Sequence, residues 1–270
     1  MNRPSRRTSQ ERLSGARGVL LDLDGTVYTA GRLIPGAREA VDAIRGAGLP
    51  LRFATNTTRR PRRALVEQLA VLGIEAEAAD IVTAPRAAAA WLAAQGIRRA
   101  AFHMAGDTLE EFADFDADDQ APEAVVVGDL GTGWTFERLN RAFRQVQAGA
   151  RLVAMQKNRY WRTADGLTLD AGPFVAALEY ATGQPATVAG KPSEAFFGSA
   201  ADAMGLSPAD LVVVGDDITS DVRGAMAAGA RGVLVRTGKY RDSDLAGPDR
   251  APDAAIASIA ELPALLGLPG

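Results

Sequence analysis

The sequence predicts an α/β fold: a doubly wound parallel sheet interrupted by a second, inserted α/β unit. Three observations carry this expectation. A strand, a helix and a second strand fit between residues 19 and 54, the length of a right-handed βαβ crossover. Two runs, Val19-Leu20-Leu21 and Leu211-Val212-Val213-Val214, are continuously apolar, as strands buried on both faces of a parallel sheet require. Between them, from about residue 78, lies a further set of α/β elements with little chemistry of its own.

The composition leaves few chemistries open. With 270 residues, 47% apolar and 23% charged, the chain has the balance of a soluble globular protein and room for two domains. A net charge of -3 offers no general attraction to nucleic acid. There are no cysteines, which removes disulfides, thiolate metal sites and thiol catalysis. One histidine, His103, leaves Ser-His-Asp and poly-His zinc mechanisms without parts. No run approaches the roughly 18 apolar residues of a membrane span and no apolar signal core follows Met1, so the expectation is a cytoplasmic protein without a membrane partner. Residues 1–16, rich in arginine at their start, read as a flexible tail.

Taken in order, the first strand ends in Asp22-Leu23-Asp24-Gly25-Thr26. Side chains alternate along a strand, so Asp22 and Asp24 point the same way, and Gly25 lets the chain turn off at once. Two carboxylates at a strand's exit favour a divalent cation. Ile34-Pro35-Gly36 marks a turn, residues 37–47 a helix closed by Gly48, and residues 49–54 a second strand ending in Thr55-Asn56-Thr57-Thr58. These hydroxyls and this amide belong on the same sheet edge as Asp22, the edge where open parallel sheets bind ligands. Arg59-Arg60-Pro61-Arg62-Arg63 opens a helix running to Gly73. The run reads either as an attractor of phosphorylated substrate or as a solvated first turn set against the helix dipole.

In the next block, residues 84–94 form an alanine-rich helix, 99–104 and 124–127 strands, 135–147 a helix and 151–155 a strand. In the second helix Phe136, Leu139, Phe143 and Val146 recur at helical spacing. The block reads as an inserted domain that selects the substrate. Gly128-Asp129-Leu130-Gly131-Thr132-Gly133 departs from the GxGxxG spacing and reads as a plain turn. His103 reads as structural, and Asn158-Arg159-Tyr160-Trp161-Arg162 as a loop lining a substrate entrance.

The first domain resumes near Pro185. Gly190-Lys191-Pro192 precedes a helix over 194–204. It is not a phosphate-binding P-loop, because Pro192 stands where a hydroxyl belongs. The strand at 211–214 then delivers Asp216 and Asp217, and the helix beginning near Thr219 keeps Asp221 close; either Asp217 or Asp221 is available as an additional acid. Residues 231–235 read as a strand and 256–266 as a closing helix. Asp22, Asp24 and Asp216 therefore converge with Thr55 and Lys191 at one edge. Crowded carboxylates call for a hard cation, and lysine and hydroxyls supply donors for phosphoryl oxygens: a phosphoryl-transfer site.

Asp22-Leu23-Asp24-Gly25-Thr26, Thr55-Asn56, Gly190-Lys191-Pro192 and Gly215-Asp216-Asp217 with Asp221, in this order, resemble the four motifs of the haloacid dehalogenase superfamily. The insertion resembles the α/β cap of its NagD-like subfamily. Asp165-Gly166-Leu167-Thr168-Leu169-Asp170-Ala171-Gly172-Pro173, Leu178-Glu179-Tyr180-Ala181-Thr182-Gly183 and Val235-Arg236-Thr237-Gly238-Lys239-Tyr240-Arg241 are similar to the phospholysine phosphohistidine inorganic pyrophosphate phosphatase group. The likeness spans residues 17–265. It implies a Rossmann-like core over 17–77 and 186–270, a cap over 78–185, and a homodimer through the cap.

The resemblance also implies roles. Asp22 attacks phosphorus, forming an aspartyl-phosphate, and Asp24 acts as general acid and then base. Thr55, Asn56, Gly25 and Lys191 bind the phosphoryl group, and Lys191 also neutralises charge on the nucleophile. Mg2+ is held by Asp22, the Asp24 carbonyl and Asp216, with Asp217 or Asp221 assisting. The implied activity is a Mg2+-dependent phosphatase for a small phosphorylated compound, of the phospholysine, phosphohistidine or pyrophosphate type. The alternatives are a sugar-phosphate, nucleotide or phosphoglycolate phosphatase, and a non-catalytic aspartyl-phosphate switch. Asp24 argues against the switch, because an acid/base beside a phosphoaspartate hastens its hydrolysis.

Overall fold

The computed structural model describes residues 8–163, 165–246 and 250–268. The chain divides into two compact units. One comprises Met1–Thr55, Val66–Val82 and Pro192–Gly270, the other Asn56–Leu65 and Thr83–Lys191. The sequence reading draws the insertion at 78–185. In the structure the second unit starts at Thr83, ends at Lys191 and also takes Asn56–Leu65.

The first unit carries a six-stranded sheet in the order Ala254–Ile256, Arg231–Val235, Leu211–Gly215, Gly18–Asp22, Leu51–Thr55, Ile81–Thr83. Gly18–Asp22 lies at the centre, parallel to Leu211–Gly215 on one side and to Leu51–Thr55 on the other. Every residue of Gly18–Asp22 and of Leu211–Gly215 is buried, which is why both read as unbroken apolar runs. Connections leave Gly18–Asp22 toward one edge early in the chain and toward the other edge late. The order reverses beside this strand, and the carboxyl ends at such a reversal are where open parallel sheets bind ligands.

The second unit is a smaller α/β layer. Its five strands run in the order Thr187–Val188, Arg151–Ala154, Ala124–Val127, Arg99–His103, Asp116–Ala117, all parallel. Ala88 and Leu92 of the helix Ala84–Ala94 pack with Val126, Val153 and Met155 in one core. Ala142 and Val146 of Phe136–Gln147, with Val175 and Leu178 of Ala171–Thr182, pack with Val125, Val127 and Ala154 in another. Helices cover both faces, so this unit too is doubly wound.

Four local expectations need correction. Residues 158–162 are not a loop throughout: Tyr160–Thr163 pairs antiparallel with Gly166–Leu169. The strand formers Tyr160, Trp161 and Thr163 before Asp165-Gly166 are a weak hairpin signal. The closing segment is not one helix. Ala254–Ile256 is a strand paired with Val233–Val235, followed by the short turns Ile259–Glu261 and Leu262–Leu265. Ile256 is held in the ladder, its carbonyl accepting from the Arg236 N–H, so it cannot start a helix. Within the expected tail, Ser9–Leu13 is a helix, because Thr8 and Glu11 form a capping box and Leu13 is buried; residues 1–7 lie outside the described ones. Finally, the helix after the arginine run starts only at Arg62. Its first N–H donates to Glu111, whose carboxylate also accepts from Arg62 Nε, so an acid does occupy the positive helix end. Among the described residues no helix is long and apolar enough to cross a membrane.

Candidate active site

The acids gather where the central strands end. Asp22 is the last residue of Gly18–Asp22 and is buried. The chain turns directly beyond it: the Gly25 N–H donates to the Tyr28 carbonyl at 2.7 Å, and Asp24 remains exposed at the lip. On the adjacent strand Asp216 follows Gly215 and is 1% exposed. Asp221 reaches the same place from a π-helical turn, Ile218–Arg223, in which the Val222 N–H spans back to the Asp217 carbonyl. Wide turns of this kind collect at functional sites because they re-aim one side chain. The ligand oxygens of Asp22, Asp216 and Asp221 all lie within 4.8 Å of one another.

Such crowding is electrostatically unfavourable. The Asp216 carboxyl is pushed up to about 8, first by burial and then by the charges of Asp22 and Asp221. The backbone is shaped to permit it. A Cβ on Gly25, whose φ is +94°, would overlap the Asp216 carboxylate, and one on Gly215 would overlap that of Asp221. Three buried carboxylates that repel one another, with no nitrogen or sulfur among them, form a donor set for a hard oxygen-seeking cation, and Mg2+ fits it.

Asp217 lies outside this group. Its Oδ1 accepts from the Thr219 and Ser220 N–H groups at 3.0 and 2.9 Å, which makes it the cap of the π-helical turn. Its Oδ2 faces Lys239 Nζ at 3.5 Å. Of the two acids available beside Asp216, the structure therefore brings Asp221 to the cluster.

Thr55, also buried, ends the strand Leu51–Thr55, whose Ala54 is in register with Asp22. Asn56 and Lys191 belong to the second unit and are bonded to each other. The Asn56 amide donates to the Lys191 carbonyl and its Oδ1 accepts from the Lys191 N–H, both at 2.9 Å. Asn56 thus spends its oxygen on the backbone of Lys191. Gly25, expected at the phosphoryl group, packs against Asp216.

Sequence reasoning placed Thr237, Gly238 and Lys239 in a family-like stretch but gave them no part in the site. The Lys239 N–H donates to Asp216 Oδ2 at 2.6 Å, and the Thr237 hydroxyl donates to the Gly25 carbonyl at 2.5 Å. A signal existed: these residues leave the strand Arg231–Val235 at its carboxyl end, the same edge as the acids. His103, by contrast, is a core residue of the second unit. Its ring stacks on Trp134, which stacks on Phe174, and burial, followed by the nearby Arg138, lowers its pKa to about 4. Asp170, inside the stretch likened to the pyrophosphate phosphatase group, caps Ala171–Thr182 and accepts from Gln156. Arg59 lies over the Trp161 ring, 5.4 Å from its centroid, and 3.5 Å from Asp129.

Comparison with known proteins gives a consistent picture. The haloacid dehalogenase-like hydrolase family matches residues 19–116, and a HAD-hydrolase-like family matches 188–262. Haloacid dehalogenase-like hydrolase domain-containing protein 2 of Homo sapiens is 41% identical over 84% of this chain and 87% of its own length. Phospholysine phosphohistidine inorganic pyrophosphate phosphatase of Rattus norvegicus is 38% identical over 95% of this chain and 96% of its own. Among solved structures, the 4-nitrophenylphosphatase of Thermotoga maritima superposes with a TM-score of 0.88 at 27% identity, covering 94% of this chain and 99% of that one. NagD from E. coli gives 0.84 at 27% identity, over 91% and 98%. A glycerol phosphate phosphatase from Mycobacterium tuberculosis, solved in complex with magnesium, gives 0.83 at 30% identity, over 93% and 78%.

Proposed function

The chain belongs to the haloacid dehalogenase-like hydrolases and is a phosphatase of that family, and we propose that it hydrolyses a small phosphorylated compound with Mg2+, through a phosphoryl group carried on Asp22. The observation that carries this reading is the convergence of Asp22, Asp216 and Asp221 oxygens at the exit of the central strands.

In this reading one Asp22 oxygen attacks phosphorus while the bond to the leaving oxygen or nitrogen breaks. Asp24, exposed at the lip and able to exchange protons with solvent, gives the leaving group its proton. The same carboxylate then takes a proton from the water that attacks the phosphoaspartate, which releases inorganic phosphate and restores Asp22. Thr55 and Lys191 hold phosphoryl oxygens, and Asn56 fixes the backbone from which Lys191 extends. Asp22, Asp216, Asp221 and the Asp24 carbonyl would hold Mg2+, whose charge lets an anionic nucleophile meet an anionic phosphoryl group.

The phospholysine, phosphohistidine or pyrophosphate type is the first substrate class, supported by a 38% identical relative that spans nearly the whole chain. A sugar-phosphate or glycerol-phosphate type is the second, favoured by the 30% identical glycerol phosphate phosphatase. In this reading the unit containing Thr83–Lys191 selects between them, and the enzyme is a cytoplasmic homodimer. Phosphate release from 4-nitrophenyl phosphate, inorganic pyrophosphate and glycerol phosphate, each with and without Mg2+, tests the proposal. Mg2+-dependent release that vanishes in Asp22→Asn supports it; equal release by Asp22→Asn overturns it.

A further inference from the structure

Asp216 and Asp217 are neighbours in sequence at the end of one strand, yet only Asp216 joins the acid cluster. We propose that residues 237–239 act as a positioning segment that selects between them: the backbone of the segment clamps Asp216 into the cluster, and the Lys239 ammonium holds Asp217 away from it. The proposal rests on the reading that the cluster binds a divalent cation.

The clamp has three parts. The Lys239 N–H donates to Asp216 Oδ2 at 2.6 Å, a short bond. Gly238, at φ +58°, lies so close to both Gly25 and Asp216 Oδ2 that any Cβ there would overlap the carboxylate. Thr237 ties the segment to the turn after Asp22 through its hydroxyl and the Gly25 carbonyl. Asp216 Oδ2 is thus enclosed between Gly25 and Gly238, which fixes the carboxylate's orientation.

The ammonium acts on the neighbouring acid. Lys239 Nζ stands 3.5 Å from Asp217 Oδ2, and its side chain is 55% exposed. Asp217 Oδ1 is held by two backbone N–H groups, so both of its oxygens are engaged away from Asp22 and Asp221. Lys239 also adds a positive charge beside Asp216, Asp22 and Asp221, and like charge opposes cation binding.

The two halves make opposite predictions for Mg2+ affinity, whereas a merely structural loop would only weaken it when disturbed. Calorimetric titration of the full-length, metal-free chain with Mg2+ reads this directly. Gly238→Ala is expected to displace Asp216 and weaken Mg2+ binding tenfold or more. Lys239→Met, at an exposed position, is expected to tighten it three- to tenfold by freeing Asp217 and removing a like charge, and the tightening is expected to shrink below twofold in Lys239→Met/Asp217→Asn. Should Gly238→Ala not fold, the Lys239 pair carries the test. If wild type binds Mg2+ and Lys239→Met binds it equally or more weakly, or if the gain persists in the double variant, the proposal is overturned. If wild type itself binds no Mg2+, the reading beneath it fails instead.

Discussion

Asn56 and Lys191, 135 residues apart, hold each other through two hydrogen bonds of 2.9 Å, amide to carbonyl and N–H to amide oxygen. The pair joins what the sequence presents as two separate motifs, and it makes Asn56 a support for the lysine. Asn56→Ala leaves a part-buried N–H and carbonyl of Lys191 without these partners, at roughly 1–3 kcal/mol for each buried group. Lys191 then loses its fixed origin, and kcat/KM is expected to fall about 100-fold, the scale of an ångström of misplacement. Steady-state kinetics on an aryl phosphate check this. Asn56→Asp, which keeps the acceptor and loses the donor, is expected to fall between the two.

Asp22→Asn tests catalysis and electrostatics together. Turnover is expected to drop to background, because an amide does not form the phosphoaspartate. The metal-free variant is nevertheless expected to melt higher than wild type, since one of three crowded carboxylates has lost its charge. Mg2+ is expected to raise the melting temperature of the wild type and to raise that of the variant far less. Scanning calorimetry with a chelator and with Mg2+ distinguishes these outcomes.

The raised Asp216 pKa sets a pH dependence of stability for the metal-free protein. Its folded value of about 8 exceeds the unfolded value, so the folded chain binds more protons between about pH 4 and 8. The stabilisation is present at acid pH and is lost as pH rises through the folded pKa. Metal-free protein is expected to melt lower at pH 8.5 than at pH 6, and Mg2+ to stabilise it most at the higher pH. A melting temperature that does not change with pH under chelator would contradict the crowding.

His103 sets an opposite slope in acid. Its folded pKa of about 4 lies below the unfolded 6.5, so the unfolded chain binds the extra proton between those values. Stability is retained above pH 6.5 and falls as pH drops toward 4, by up to about 3 kcal/mol from a shift of this size. His103→Gln is expected to flatten this slope in urea titrations between pH 7 and 4.5. Phosphatase activity near neutral pH is expected to persist in the variant, because the ring stacks on Trp134 in a core of the second unit.

Much of this protein was legible in its sequence because burial writes itself into composition. Gly18–Asp22 and Leu211–Gly215 are covered on both faces, so they appear as unbroken apolar runs, and the acids that follow announce the functional edge. The hairpin Tyr160–Thr163 with Gly166–Leu169 and the strand Ala254–Ile256 were less legible. Both are short; the hairpin carries only a weak turn signal, and the ladder of Ala254–Ile256 depends on Val233–Val235, a partner that local pattern does not name.

The sequence by itself determined the α/β class, the inserted unit, the family and the acids worth suspecting, because each follows from residue type, order and local periodicity. Only the tertiary structure decided which acids meet. Asp217 and Asp221 are the same residue four positions apart; the π-helical turn aims one at Asp22 and Asp216, while two N–H groups and Lys239 keep the other outside. It also decided that Lys239 belongs at the site and that Asn56 serves Lys191. Distances between residues remote in the chain are set by how sheets and turns pack, and no local preference encodes them.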